Sequence, residues 1–337
     1  MRRSWVIAVC AAGLVAPGSA LAAGGPVPPV QGGQGISTTG SPVSYVAVAA
    51  GGNTRIERRE GGTVQRGRVL DGHYGVPGAA YDGSTTGLSA DGRTLVLARI
   101  TRTYPPKSTR LLVLDTQTLA VRNRINLPGF LAVDAISPGG ATLYVLRYRN
   151  ANLVHYDVLA LDVPSGQLRG KPIMDPREPD EKMGGIPLAR TMSADGRWAY
   201  TLYTGEENFV HALDTETAQA RCIDLPAGDF SSAGLRLDGN RLHVGAAATI
   251  DLQTFALATA PGVATPTPTP TPRATPTPAP AKDDGGVTWP AIALGVAVLG
   301  GLGLLARRLR AHPAAEPLEV EISHHVDADR TREKATH

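Results

Sequence analysis

One strand–turn–strand cadence returns four times along the middle of this 337-residue chain and sharply limits what it can fold into. Gly87–Leu97, Ala135–Val145, Thr191–Tyr200 and Leu235–Val244 align, each with a few apolar residues, a tight turn on Asp-Gly or Gly-Gly, and a second apolar run. Those turn residues supply the positive φ that a short hairpin requires. Downstream in every unit a third apolar stretch closes on an aspartate, at Asp115, Asp162, Asp214 and Asp251. Its carboxylate is suited to capping the turn that follows. A fourth alternating stretch then appears, such as Ala120–Leu127. From aspartate to aspartate the spacing is 47, 52 and 37 residues. Four short strands every 40–50 residues predict an all-β fold, specifically a β-propeller of four-stranded blades. An earlier, degenerate unit at Tyr45–Val48, Thr54–Arg59 and Gln65–Leu70 brings the expected number of blades to about five.

The Ser-Ala-Asp-Gly-Arg…Leu-Asp-Thr cadence resembles YVTN-type and related NHL or quinoprotein-like propeller repeats, over residues 88–257, about half of the chain. Its motifs are structural, so the resemblance implies a fold and names no catalytic residue. Propellers of the YVTN type commonly carry seven blades; five is a departure that leaves closure of the ring within one chain open. The last unit is short, and a strand from Gly35–Val48 is the expected piece to complete it and remove the exposed sheet edges.

The two ends read as addresses. Residues 1–22 combine Arg2-Arg3, an apolar run from Trp5 to Val15, and Ser19-Ala20-Leu21-Ala22, the order of a secretory signal cut after Ala22. Trp289–Ala306 is an 18-residue apolar run followed at once by Arg307, Arg308 and Arg310. At about 1.5 Å per residue it spans ~27 Å, and residues 287–306 are read as one transmembrane helix with a cytoplasmic tail at 307–337. Between core and membrane, residues 263–286 form a Thr/Pro-rich stalk. Alternate prolines favour polyproline II, about 55 Å long if fully extended, and the threonines suit O-glycosylation. Residues 23–40 are expected to be a flexible lead-in, and 41–262 the propeller ectodomain.

Charge is divided rather than excessive. Residues 23–150 carry 14 basic and 7 acidic side chains, whereas 151–262 carry 9 and 15. With no one-sided stripe and an outward address, nucleic acid is not an expected partner. Cys10 leaves with the signal, since Val9 sits where a lipoprotein signal needs a small residue, and Cys222 is then a lone thiol.

No constellation for chemistry stands out. His73, His155, His211 and His243 fall in different units, and no His-x-x-x-His or Gly-x-Ser-x-Gly motif occurs. The repeated aspartates belong to turns. Asp82-Gly83-Ser84 and Asp91-Gly92 lack the late Glu of a calcium loop, and the His324-His325 pair in the tail is too sparse for a metal site. Asp175–Lys182 is a charged insertion, read as a solvated loop with a recognition loop as its alternative. No catalytic, cofactor or metal residue is therefore assigned, and the ligand-binding residues are left open. The reading is a single-pass cell-surface protein whose ectodomain binds or scaffolds an extracellular protein or an envelope glycan. The alternative is an extracytoplasmic hydrolase or lactonase with a site at the propeller axis.

Overall fold

The computed structural model describes residues 25–149 and 153–259, and all their regular structure is β. Sheet 1 contains β1 (Val43–Ala50), β2 (Asn53–Glu60) and β3 (Thr63–Leu70). Sheet 2 contains β4 (Tyr74–Gly75), β5 (Thr94–Arg99), β6 (Ser108–Asp115) and β7 (Val121–Pro128). Sheet 3 is β8 (Leu131–Ile136), β9 (Thr142–Tyr148), β10 (Tyr156–Asp162) and β11 (Gln167–Leu168). Sheet 4 is β12 (Ile186–Met192), β13 (Trp198–Thr204), β14 (Phe209–Asp214) and β15 (Gln219–Asp224). Sheet 5 is β16 (Leu235–Asp238), β17 (Arg241–Val244), β18 (Ala248–Asp251) and β19 (Leu257–Thr259). Each sheet is an antiparallel meander in chain order, which short hairpin loops impose. The arrangement is propeller-like.

Two local devices repeat. In sheets 2, 3 and 4 a serine hydroxyl accepts from the backbone N–H that restarts the chain after the turn: Ser89 from Thr94 at 3.0 Å, Ser137 from Thr142 at 3.0 Å, Ser193 from Trp198 at 2.8 Å. Asp91 and Asp195 lock their turns by accepting from Ser89 and Ser193 at 2.5 Å. The second device is the aspartate ending the third strand. Asp115 accepts from the N–H of Gln117 and Thr118 at 3.0 and 2.8 Å, and Asp251 does the same with Gln253 and Thr254 at 3.1 and 2.9 Å. The backbone then closes a five-residue turn, Leu119 N–H to Asp115 C=O at 2.8 Å, with equivalents at Gly166, Ala218 and Phe255. The capping role expected of these aspartates is the one they perform.

Four apolar clusters join successive sheets. Ile56 and Leu112 lie between sheets 1 and 2, Leu111 and Val145 between 2 and 3, Tyr144 and Phe209 between 3 and 4, Leu202 and Ile250 between 4 and 5. Among the described residues no such cluster joins sheet 5 to sheet 1. The strands record this difference. The central strands of the middle sheets are buried on both faces and read as continuous apolar runs, such as Leu111-Leu112-Val113-Leu114 and Val158-Leu159-Ala160-Leu161. Those of sheet 5 alternate, Leu235-Arg236-Leu237-Asp238 against Arg241-Leu242-His243-Val244, with the apolar set packed on sheet 4. In sheet 1 the far face of β2 carries Arg55 and Arg59 on either side of Glu57, at 3.0 and 2.6 Å, beside the buried Val46 of β1. The polar outer face of sheet 5 is how a stacked repeat ends in water.

Residues 25–40 depart from the flexible lead-in expected of them. Val30 exchanges backbone hydrogen bonds with Val76 at 2.7 and 2.9 Å, Gly32 N–H reaches Ala47 C=O at 2.7 Å, and Ile36 bridges Tyr45. The segment covers the open edge of β1, which an unpaired strand requires. It therefore supplies sheet 1, and the anticipated completion of the last unit by Gly35–Val48 does not occur; sheet 5 has four strands of its own. The signal, stalk, membrane and tail segments lie outside the described residues. Among the described residues no helix is long and apolar enough to cross a membrane.

Candidate functional site

A propeller gathers the first strands of its sheets around the centre, so any axial site is built there. Irregularities in pairing between Val133 and Ala135 in β8 and between Pro187 and Ala189 in β12 re-aim the side chains of these strands. Asp134 and Arg190 meet as a result. The Arg190 guanidinium donates to Asp134 Oδ1 at 2.6 Å, to Asp134 C=O at 2.7 Å and to Thr201 Oγ1 at 2.7 Å. Both side chains are only 3 % exposed. The first strand of sheet 2 is broken, and its residues 76–86 cross to sheet 4: Tyr81 and Asp82 N–H donate to Pro187 and Leu188 C=O at 2.9 and 3.0 Å, and Asp82 Oδ2 accepts from Arg190 N–H at 3.0 Å. A carboxylate and a guanidinium do converge on the centre, but they are spent on each other, closed from solvent, in tying sheets 2, 3 and 4 together.

An opening of about 230 Å³ adjoins them, lined by Arg190, by hydroxyls that include Ser37, Thr38, Ser84, Thr191 and Ser193, and by apolar side chains such as Ile36, Leu88 and Ile136. Among the described residues no carboxylate or imidazole lines it. Such a mouth can hydrogen-bond a polar ligand.

The four histidines of the repeats stay apart. His243 lies on sheet 5 with Nδ1 3.1 Å from Thr249 Oγ1. His73 contributes its C=O to Ile100 N–H in sheet 2. His211, wholly buried on β14, is pushed down to about 4 by burial, and its Nε2 has no partner. His155 precedes β10 and lines a second cavity.

That second cavity, about 420 Å³, lies between β10 and the 172–183 segment, lined by Arg149, His155, Asp157, Ile173, Glu181 and Lys182 among others. Burial would raise the Asp157 carboxyl, but hydrogen bonds from Arg149 and Arg147 (2.8 Å to the latter) hold it below the usual carboxylate range. Glu181 is pushed up by burial. The charged insertion, read as a solvated loop, walls this cavity and keeps Pro176 to Asp180 exposed. Its two flanks are anchored: Asp175 is 1 % exposed and accepts from Arg177 at 2.6 Å and from Cys222 N–H at 3.0 Å, while Met183 is 5 % exposed in the core of sheets 3 and 4. The tip, Glu178 to Lys182, is largely solvent-facing. Among the described residues no three His, Cys, Asp or Glu side chains stand as a metal group.

Sequence reasoning missed Asp134 and Arg190. The available signal was a lone charge inside an apolar strand, Val133-Asp134-Ala135 and Ala189-Arg190-Thr191. Such a charge needs a buried partner, but its partner is 56 residues away and set by packing.

These features define a propeller-like all-β repeat protein with a closed centre. No protein-family model and no curated protein matches the chain. Similar solved structures include TolB from Acinetobacter baumannii (16 % identity, 64 % of this chain and 50 % of that one, TM-score 0.37). Others are an oligogalacturonate lyase in complex with manganese (13 %, 67 % and 63 %, 0.45) and the β-propeller domain of Swd1 from Myceliophteria thermophila (10 %, 68 % and 67 %, 0.39). The chain thus spans half the length of the TolB structure. At these scores the likeness adds nothing to what the five meanders define.

Proposed function

We propose that the chain is a membrane-anchored surface protein of the YVTN-like repeat type, whose five blades act as a binding or scaffolding module in the cell envelope. The observation that carries the binding reading is the axial mouth, lined by hydroxyls, apolar side chains and Arg190, with no acid or imidazole among its described lining residues. The hydrolase alternative needs an accessible acid or base at that place. Surface location and orientation rest on the signal at 1–22, the Thr/Pro stalk at 263–286 and the apolar segment at 287–306 before Arg307. A rigid body on a stalk of up to ~55 Å is built for contact with material beyond the membrane.

The test has two arms. Protease applied to intact cells carrying an epitope after His337 should remove the ectodomain and leave a small protected fragment. An epitope accessible from outside would refute the topology. Purified full chain should co-sediment with envelope material and leave lactone and glycoside substrates unturned; turnover abolished by changes at the axial mouth would refute the binding reading.

A further inference from the structure

The arginines of this fold are unevenly balanced. On the outer strands and turns of sheets 3 and 4 each carries a carboxylate: Arg169 with Asp162 at 3.2 Å, Arg177 with Asp175 at 2.6 Å, Arg197 with Asp214 at 2.7 Å, Arg221 with Asp175 at 3.3 Å. Between sheets 1 and 2 the pattern fails. Residues paired directly across an antiparallel ladder share a face, so Arg68 lies beside Ile56, and Arg66 beside Arg58, on the face of sheet 1 that meets sheet 2. On the facing side, Arg124 pairs with Leu112 and Arg110 with Asn126. Ile56 and Leu112 are core, so the inner part of this interface is dry. Its outer part brings Arg68 of sheet 1 and Arg124 of sheet 2 to one cleft.

Among the described residues Arg66, Arg68, Arg110 and Arg124 have no ion pair, and all four are exposed. Arg122 is held by Asp115, which leaves Asp71 as the acid of the cleft. The cleft has a volume of about 500 Å³ and is lined by Arg68, Asp71, Arg122, Asn123 and Arg124. Guanidinium groups in excess of one carboxylate make a positive field that attracts anions, and their forks match carboxylates bidentately.

We propose that this cleft, lined by Arg68 and Arg124 and flanked on the same two sheet faces by Arg66 and Arg110, binds a chain of acidic sugars. Arg66 and Arg68 stand two residues apart on an extended strand, about 7 Å, a spacing that suits a repeated charge rather than a single ion. Exposed Asn126 lies on the same face and offers amide donors and acceptors to sugar hydroxyls. This deepens the binding reading by naming the partner class, and it rests on that reading for the partner's place outside the cell.

The test measures binding of purified full chain in detergent to a polyuronate, with neutral dextran, inorganic polyphosphate and duplex DNA as the other arms. Polyuronate should bind in preference to all three, with an affinity that falls as salt rises. Arg68→Gln with Arg124→Gln should weaken it at least tenfold and flatten the salt dependence, with the unfolding midpoint unchanged because both side chains are exposed. Arg169→Gln, at the balanced edge of sheet 3, should leave binding as it was. No polyuronate binding, tighter binding of polyphosphate or DNA, or equal binding by the double variant would overturn the proposal. These results are independent of the protease test on cells, which bears on location alone.

Discussion

Adding one methyl group at Gly196 tests the arrangement at the centre. Gly196 holds φ at +73° in the Ser193–Trp198 turn, a region that costs an L-residue about 1–2 kcal/mol. A Cβ there would also lie 2.5 Å from Ala90 Cβ, a contact made across the axial mouth by a loop of sheet 2. Relieving such an overlap in a packed setting costs about 1–3 kcal/mol. Gly196→Ala should therefore destabilise by about 2–5 kcal/mol. Gly239 provides the control: its turn has φ +55°, but nothing lies within 4 Å of its Cβ direction, so Gly239→Ala should cost only the conformational part. Ala90→Gly removes the obstructing methyl and should recover the overlap part in a double-mutant cycle, leaving the strain. Urea unfolding followed by far-UV circular dichroism reads all four variants. If Gly196→Ala and Gly239→Ala cost the same, or if Ala90→Gly leaves the cost of Gly196→Ala unchanged, sheets 2 and 4 do not meet as described.

Three further outcomes are expected. Arg190→Met should cost about 3–5 kcal/mol, because Asp134 is then a buried charge without a partner, and Asp134→Leu added to it should restore much of the loss; urea midpoints decide. His211 has its folded pKa depressed to about 4 from an ordinary 6.5, so the unfolded chain takes up the proton first as pH falls. Stability present above pH 6.5 should decline down to pH 4, by a total on the order of 3 kcal/mol, and His211→Asn should flatten that slope in unfolding curves across this range. The Cys222 thiol is buried against Met183, and burial pushes its pKa up, so iodoacetamide should label it only in denaturant; labelling of the native protein, read by mass spectrometry, would contradict this packing.

What could be read in the chain itself was local and repeated. The hairpins at Asp91-Gly92, Gly139-Gly140, Asp195-Gly196 and Asp238-Gly239 and the capped turns after Asp115, Asp162, Asp214 and Asp251 are written in contiguous residues, because backbone sterics and side-chain capping act over a few positions. Alternation in β16 and β17 also records that one face of sheet 5 is covered. Cys222 with Ile223 follows the same rule, facing sheet 3 and sheet 5 respectively. The tertiary structure alone decided which distant segments meet. Arg190 with Asp134, residues 25–40 along β1, the 76–86 excursion reaching sheet 4, and the unbalanced arginines of sheets 1 and 2 are pairings across tens of residues. No local preference encodes such contacts; they form because burying five amphipathic or two-faced sheets against one another leaves each edge, charge and turn with only the neighbours that packing brings to it.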